Sequence, residues 1–424
     1  LLRNARLETA AGQSAPDGWT PWQPEWAEAR VAITPTRRGV KLTGAASAFA
    51  VGGLAQTVTG IKGGQSYAIR VRCQLKGLER PSQTALVRLT WLKGTEPGHV
   101  AGVLVRGPDL KGAEATFDDV FAAPEGADGA RLSLEVKWPG KGSVTWQEAS
   151  LRPCAPRAAR KARVGTVYLK PSGSTPQRNL DLWCAQVDAA GRQQLDLLCL
   201  SEAITMVGTS ATVSTEAEPI PGPTTRRLGE AARRNHLWLV AGLMETEAGV
   251  LYNTAVLLDR NGNLAGKYRK VHLPREEWHK GIRPGQDYPV FRTDFGVVGL
   301  QICYDYFFPE NTEILALNGA EIVLAPTWGT TFADQEGRVE GQSIMRVRAR
   351  DNGVYLVASI YDGESLVIDP MGRILASNQG QTGVFWAEID LNQREPLWWV
   401  GHWGSIGPRD RRPDTYRRLT ETAR

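Results

Sequence analysis

Three side chains of this sequence stand where nucleophilic chemistry can be assembled. Cys303 closes the apolar run Phe295-Gly-Val-Val-Gly-Leu-Gln-Ile-Cys303 and is followed by Tyr304-Asp-Tyr-Phe-Phe-Pro-Glu310. That pattern reads as a strand delivering a thiol to a sharp turn, with a helix starting just beyond. Helix N–H groups beside a thiol favour its thiolate. A cysteine nucleophile also needs a base for its proton, a donor for an oxyanion and an acid for the leaving group. Leu197-Leu-Cys-Leu-Ser-Glu202 ends a buried strand on a carboxylate, and Gly266-Lys-Tyr-Arg-Lys270-Val-His-Leu-Pro274 ends another on an ammonium. Ligands of an α/β sheet gather at the carboxyl ends of its strands, so the three side chains can converge there. Taken singly, each has a plainer reading: an inert buried thiol, a helix cap or ion-pair member, and a solvated charge beside Lys267 and Arg269.

The elements that must position them lie after residue 163. Strands are expected at 164–169, 195–200, 237–242, 322–325 and 354–359. A hairpin, 252–258 and 264–270, turns at Arg260-Asn-Gly262. Helical spacing marks 179–190, 224–235, a stretch from about 311, and 334–351. Alternating strands and helices predict a layered α/β domain. Residues 1–155 have a different grammar. Short alternating runs at 38–43, 66–73, 85–92, 130–138 and 143–148, separated by Gly-, Pro- and Asp-rich turns, predict an all-β sandwich. The basic, Pro- and Ala-rich stretch 152–163 reads as a solvated junction, since it lacks the interleaved aromatics of a nucleic-acid site.

The bulk numbers agree with two domains. A chain of 424 residues exceeds one ordinary core. A net charge of +5 points to neither nucleic acid nor a membrane surface, and no apolar run is long enough to span a bilayer. Five cysteines are too few for a disulfide scaffold, and the pairing of Cys73, Cys154, Cys184 and Cys199 stays open.

The ordered set Leu200-Ser-Glu202, Tyr268-Arg-Lys270-Val-His-Leu-Pro274 and Gly299-Leu-Gln-Ile-Cys303-Tyr-Asp305 with Phe308-Pro-Glu310 resembles the nitrilase superfamily of carbon–nitrogen hydrolases. Tyr252-Asn253-Thr254, Pro284-Gly285, Gly319-Ala-Glu-Ile-Val-Leu-Ala-Pro326 and Arg348-Ala-Arg-Asp-Asn352 support it, over about residues 164–390. The resemblance implies a four-layer α-β-β-α sandwich at 156–424, including a C-terminal extension, and a homo-oligomer. It implies no metal or organic cofactor. It also implies roles: Glu202 as general base, Lys270 as electrostatic stabiliser, Cys303 as nucleophile and a second glutamate after the lysine. Glu276 and Glu277 both lie in that stretch, and Glu277 sits nearer the usual distance before Pro284-Gly285. The backbone N–H of Tyr304 is the candidate oxyanion donor, and Trp328, Tyr252 and Asn253 are candidate substrate contacts. The expected substrate is a small-molecule amide, hydrolysed through a thioester.

Tyr304-Asp305 after the cysteine is similar to the amide-cleaving branches, whereas nitrile-cleaving members commonly carry Trp-Glu. Phe307 stands where many carbamoyl-cleaving members have an arginine, which argues against an N-carbamoyl amino acid substrate. The aromatic tail Trp398-Trp-Val-Gly-His-Trp403 is expected at a subunit interface, with a substrate-contacting edge as the competing reading. Residues 1–155 resemble jelly-roll, galactose-binding-like modules through Leu2-Arg-Asn-Ala-Arg-Leu-Glu8, Gly18-Trp-Thr-Pro-Trp22 and Val144-Thr-Trp-Gln-Glu-Ala-Ser-Leu151. Carbohydrate is therefore a candidate partner there, through Trp19, Trp22, Trp26, Trp91, Trp138 or Trp146. Such a module and a start without Met together suggest an exported bacterial protein. Three rival readings remain. One is a metallohydrolase built on His272, Glu276, Glu277 and His279, which lack His-Glu-x-x-His spacing. The second is a carbohydrate-binding protein with a non-catalytic hydrolase-like domain. The third uses the same three residues for acyl transfer or nitrile hydrolysis.

Overall fold

The structure is a computed structural model of the chain. It describes all residues except 45–46, 95, 98–101, 330–339, 394–395, 398–400, 403–406, 408 and 422–424. The tryptophans of the C-terminal aromatic tail and the expected first turns of the 334–351 helix thus lie outside the described residues. The chain forms two compact units, residues 1–158 with 394–424 and residues 159–393.

The first unit is built from two antiparallel sheets. One orders Thr20–Trp22, Val51–Thr59, Gly129–Lys137, Ala85–Lys93 and Glu96–Pro97, with Val103–Leu104 also paired to Ala85–Lys93. The other orders Ala32–Thr36, Gly39–Thr43, Ser143–Cys154, Ser66–Lys76, Glu114–Ala122 and Asp109–Lys111. Alternation drives the packing: Ile69, Val71, Cys73 and Leu75 point inward from one sheet and Leu54, Leu89, Leu132 and Leu134 from the other, into one core. Trp19, Trp91 and Trp146 belong to that core, which removes them from any surface role. Two of these strands carry weak sequence signals. Val51–Thr59 has two glycines and Glu114–Ala122 has three carboxylates, residues that are poor strand formers by themselves. The junction is shorter than expected, because residues up to Cys154 pair with Ser66–Lys76 and residues from Lys161 pair with Gly383–Asp390. The chain end also differs from expectation: it belongs to this unit and does not extend the α/β one. Arg409 donates to the carbonyls of Val105 and Gly107, and Asp410 and Asp414 pair with Lys137 and Arg80.

The second unit has two six-stranded sheets. The first orders Leu264–Arg269, Val250–Leu258, Trp238–Glu247, Leu197–Cys199, Lys161–Tyr168 and Gly383–Asp390; the second orders Val290–Arg292, Val297–Leu300, Ile322–Gly329, Tyr355–Asp362, Leu366–Ile368 and Ile374–Ser377. Central strands of both sheets pair in parallel and are apolar on both faces. In Leu197-Leu-Cys-Leu200, Leu197 and Cys199 face the other sheet, while Leu198 and Leu200 face helices. Helices Pro176–Arg192 and Pro223–Asn235 cover the first sheet; Pro309–Leu317 and Glu340–Asn352 cover the second. The layers run helix, sheet, sheet, helix.

Helix Pro176–Arg192 also fixes the turn that follows Glu202. Thr175 caps it by accepting from the Arg178 N–H, and Pro176 fits the first position, where no N–H is needed. From its buried face, Asn179 donates to the carbonyls of Thr205 and Val207, and Trp183 Nε1 donates to that of Ile204. Trp183→Ala removes a fully buried ring, so it is expected to cost about 3–5 kcal/mol of α/β-unit stability. Leu375, 42 % exposed, is a control whose Leu375→Ala change should stay within about 0.5 kcal/mol. Urea unfolding of both variants checks this, and equal midpoints would remove Trp183 from the core account.

Candidate active site

Strand alternation decides which side chains reach the interior. Along Val250–Leu258, Ala255 and Leu257 face the second sheet, and Asn253 shares their side; Tyr252, Thr254 and Val256 point the other way. In the paired strand, Tyr268 faces inward with Lys270 two residues on, whereas Lys267 and Arg269 face outward onto Glu245. Tyr252 therefore does not join the others: its ring lies 3.7 Å from the Arg269 guanidinium, on the outer face.

Lys270 is the centre of the cluster. It is 1 % exposed, and its Nζ donates to Glu202 Oε1 at 2.9 Å and to Glu277 Oε1 at 2.5 Å. Asn253 Nδ2 donates to the same two carboxylates, at 2.7 Å to Glu202 and 3.2 Å to Glu277. The Asn253 carbonyl accepts from the Lys270 N–H, and the Lys270 carbonyl accepts from the N–H of Gly285, which explains the Pro-Gly pair at that distance. Glu276 points to solvent, whereas Glu277 is the neighbouring glutamate that contacts Lys270. Glu277 Oε2 is buried and has no hydrogen-bond partner among the described residues.

Glu202 is held from three directions. Its Oε2 accepts from the N–H of Trp328 at 2.8 Å, and its carbonyl accepts from Tyr361 O–H at 2.8 Å. Its own segment lies against Gly242, where an added Cβ would come within 2.6 Å of Glu202 Cα, so only glycine permits the approach. Trp328, 39 % exposed, packs edge-on to Tyr361. Tyr361 and the Ser201–Ser359 hydroxyl pair at 2.7 Å link the carboxyl ends of strands from both sheets.

Cys303 opens the 3-10 turn Cys303–Phe307 with φ +43°, a left-handed conformation rare for a residue with a Cβ. Its Sγ lies 4.0 Å from the Gly329 carbonyl. Tyr304 packs its ring against Phe307 and Phe308, while its N–H belongs to the first turn. Asp305, fully buried, accepts hydrogen bonds from Ile302 N–H, Tyr268 O–H, His272 N–H and His272 Nδ1. His272 also stacks on Phe308, and His279 stands against Trp278 on the surface. The histidines of the metal reading thus have separate packing partners. Among the described residues no group of three metal-ligating side chains converges. Sequence reading left Asp305, Tyr268 and Tyr361 without a role. The only available signal was the placement of Asp305 two residues after the cysteine and of Tyr268 two before the lysine.

Titration behaviour follows from burial and neighbours. Burial, and then the Glu202 carboxylate, push the Cys303 thiol up to about 12, outweighing the opposing pull of Lys270 and of the Trp328 and Gly329 backbone. This corrects the expectation of a resting thiolate. Burial alone would lower Lys270, but Glu202, Cys303 and Glu277 together raise it, so it is a firm cation. Burial and the charge of Glu202 raise Glu277 from 4.5 to about 7 against the pull of Lys270 and Asn253. All five cysteines are free thiols.

A carboxyl whose folded pKa is raised binds more protons folded than unfolded. Its stabilising contribution is full below the unfolded pKa and is lost as pH rises through the folded one. Wild type should therefore lose stability relative to Glu277→Gln between about pH 4.5 and pH 7. Denaturant midpoints of both proteins at the two ends of that window check it, and parallel pH dependence would show that Glu277 titrates normally.

A protein-family model described as carbon-nitrogen hydrolase matches residues 163–397. A probable nitrilase of Schizosaccharomyces pombe is 30% identical over 277 residues, 61% of this chain and 98% of the relative. Omega-amidase NIT2 of Mus musculus is 30% identical over 250 residues, 54% of this chain and 89% of the relative. Among solved structures, a mutant of the amidase from Nesterenkonia sp. AN1, showing the result of Michael addition of acrylamide at its active site cysteine, has a TM-score of 0.50 and 25% identity; it covers 61% of this chain and 99% of that one.

Proposed function

The chain belongs to the carbon–nitrogen hydrolase family and is an amidase-type hydrolase, and we propose that it cleaves the amide of a small molecule through a thioester on Cys303, with Glu202 as base and Lys270 as electrostatic stabiliser. The observation that carries this reading is the buried Lys270 ammonium shared by Glu202 and Glu277 beside a cysteine held at positive φ.

A thiol raised to about 12 is not a standing nucleophile at neutral pH. Attack and proton removal must therefore be coupled, and Glu202 is the base at hand. As Sγ bonds to the amide carbon, the thiol proton passes to Glu202. The carbonyl oxygen becomes an oxyanion, taken up by the third N–H of Lys270 and the N–H of Tyr304. Glu277 Oε2, without a hydrogen-bond partner among the described residues, is an acceptor for the substrate's amide N–H. Collapse breaks the carbon–nitrogen bond, and Glu202 returns its proton to the departing ammonia or amine. Water, deprotonated by Glu202, then attacks the thioester carbon; the carbon–sulfur bond breaks, the acid leaves, and Glu202 returns the proton to Cys303 Sγ. Tyr304, Phe307, Phe308 and Trp328 supply aromatic surface near the thiol, which suits an uncharged substrate.

For the first unit we propose a jelly-roll, galactose-binding-like module that binds carbohydrate. The observation favouring it is a groove of about 650 Å³ lined by Trp22, Thr57, Thr90, Arg131, Ser133 and Glu135. Trp22 lies over Gly53, where an added Cβ would come within 2.7 Å of Nε1. An aromatic face among hydroxyls and charges is the chemistry that holds a sugar ring.

Incubation with amides, followed by intact mass and ammonia release, tests the catalytic reading. Wild type should form an acyl adduct and release ammonia, and Cys303→Ala should do neither while keeping its fold. Glu202→Gln should lose about 10²–10⁴-fold in kcat. Turnover by Cys303→Ala would refute the thioester route. For the module, titration of the full chain with a glycan panel should give binding that Trp22→Ala abolishes; binding unaffected by that change would move sugar recognition elsewhere.

A further inference from the structure

One buried carboxylate joins the two sequence segments that carry the nucleophile and the cation. Asp305 Oδ2 accepts the N–H of Ile302 at 2.9 Å, and the Asp305 N–H donates to the Ile302 carbonyl at 3.0 Å. These reciprocal bonds straddle Cys303 and close its left-handed turn. On its other side, Asp305 Oδ2 accepts Tyr268 O–H at 2.8 Å, while Oδ1 accepts the His272 N–H and Nδ1, each at 2.9 Å. Tyr268 and His272 stand two residues before and two after Lys270. Each carboxylate oxygen thus has two partners: Oδ2 takes one from each segment, and Oδ1 takes both from His272. Its neighbours are fixed in turn: Asn311 Nδ2 donates to the Tyr268 hydroxyl at 3.1 Å, and the His272 ring stacks on Phe308 with centroids 4.0 Å apart.

We propose that Asp305 is a positioning residue that sets the placement of the Cys303 thiol against Lys270, by clamping the turn before the cysteine to both flanks of the lysine. This rests on the reading of Cys303 and Lys270 as one site. Physical chemistry makes the link exacting. A non-glycine residue at positive φ persists only where its surroundings over-determine it. The bonds that do so here run through Asp305. An asparagine is a poorer replacement, because in either orientation its amide would set a donor against one fixed backbone donor, the N–H of His272 or of Ile302.

The test uses the full chain and reads Cys303 directly. Wild type, Asp305→Asn, Tyr268→Phe and Thr312→Val are alkylated with iodoacetamide, and modification of Cys303 is followed by peptide mass. Turnover of an amide hydrolysed by wild type, near-UV circular dichroism and Tm are measured in parallel. Thr312 is a buried comparator that donates to Gln301 Oε1 and has no bond to Asp305. Asp305→Asn should retain the native spectrum, alkylate more slowly than wild type and lose about 10²-fold in kcat at unchanged KM, the scale expected for a misplaced reacting group. Tyr268→Phe, which deletes one of the four bonds, should lose about tenfold. Thr312→Val should lower Tm with both rates unchanged. Wild-type alkylation and kcat in Asp305→Asn and Tyr268→Phe would overturn the proposal, as would an equal loss of rate in Thr312→Val. Should Asp305→Asn fail to fold, Tyr268→Phe decides alone. If wild type turns over no amide, the hydrolase reading fails, and the alkylation rates still judge the clamp.

Discussion

An ammonium withdrawn from water carries a desolvation cost of several kcal/mol, even after the protein relaxes around it. Lys270 bears that cost at 1 % exposure, and two carboxylates offset it. Much of the α/β unit can be understood as the means of holding this arrangement. Two acids must meet one base, Glu202 from just past a strand end and Glu277 from the short helix Arg275–Trp278, and Asn253 must bridge them so that they do not simply repel. Burial first, and then the charge of Glu202, raise Glu277 against the pull of Lys270.

That constraint reaches outward through the packing. Asn179 and Trp183 on the first helix hold the carbonyls just past Glu202, and Gly242 lets that turn lie against the neighbouring strand. From the second sheet, Tyr361 and Ser359 fix Glu202 and Ser201. A change in any of these moves a carboxylate without touching the chemistry. The reach is long because close-packed interiors transmit displacement.

The thiol illustrates how magnitude decides between opposing effects. A helix start and a neighbouring ammonium both favour a thiolate. Enclosure and the Glu202 carboxylate act against them and win, leaving the thiol near 12. The resting side chain is therefore a thiol beside the Glu202 carboxylate. A protonated cysteine is also a poor target for adventitious oxidation.

The sequence by itself determined the two grammars of the chain, the strand ends bearing Glu202, Lys270 and Cys303, and the uninterrupted apolar run that buries Leu197-Leu-Cys-Leu200 on both faces. These are local: period, apolar content and turn residues are written in consecutive positions. Two strands escaped because glycines in Val51–Thr59 and carboxylates in Glu114–Ala122 mask a ladder that only pairing supplies. Only the tertiary structure decided that Tyr252 faces Arg269 and that Asn253 bridges two acids. It alone gave the last residues to the first unit and placed Asp305 between the cysteine and lysine segments. Each of these depends on which side of a strand meets which distant neighbour. The proton affinity of the thiol depended on the same thing, since desolvation is a property of the assembled site.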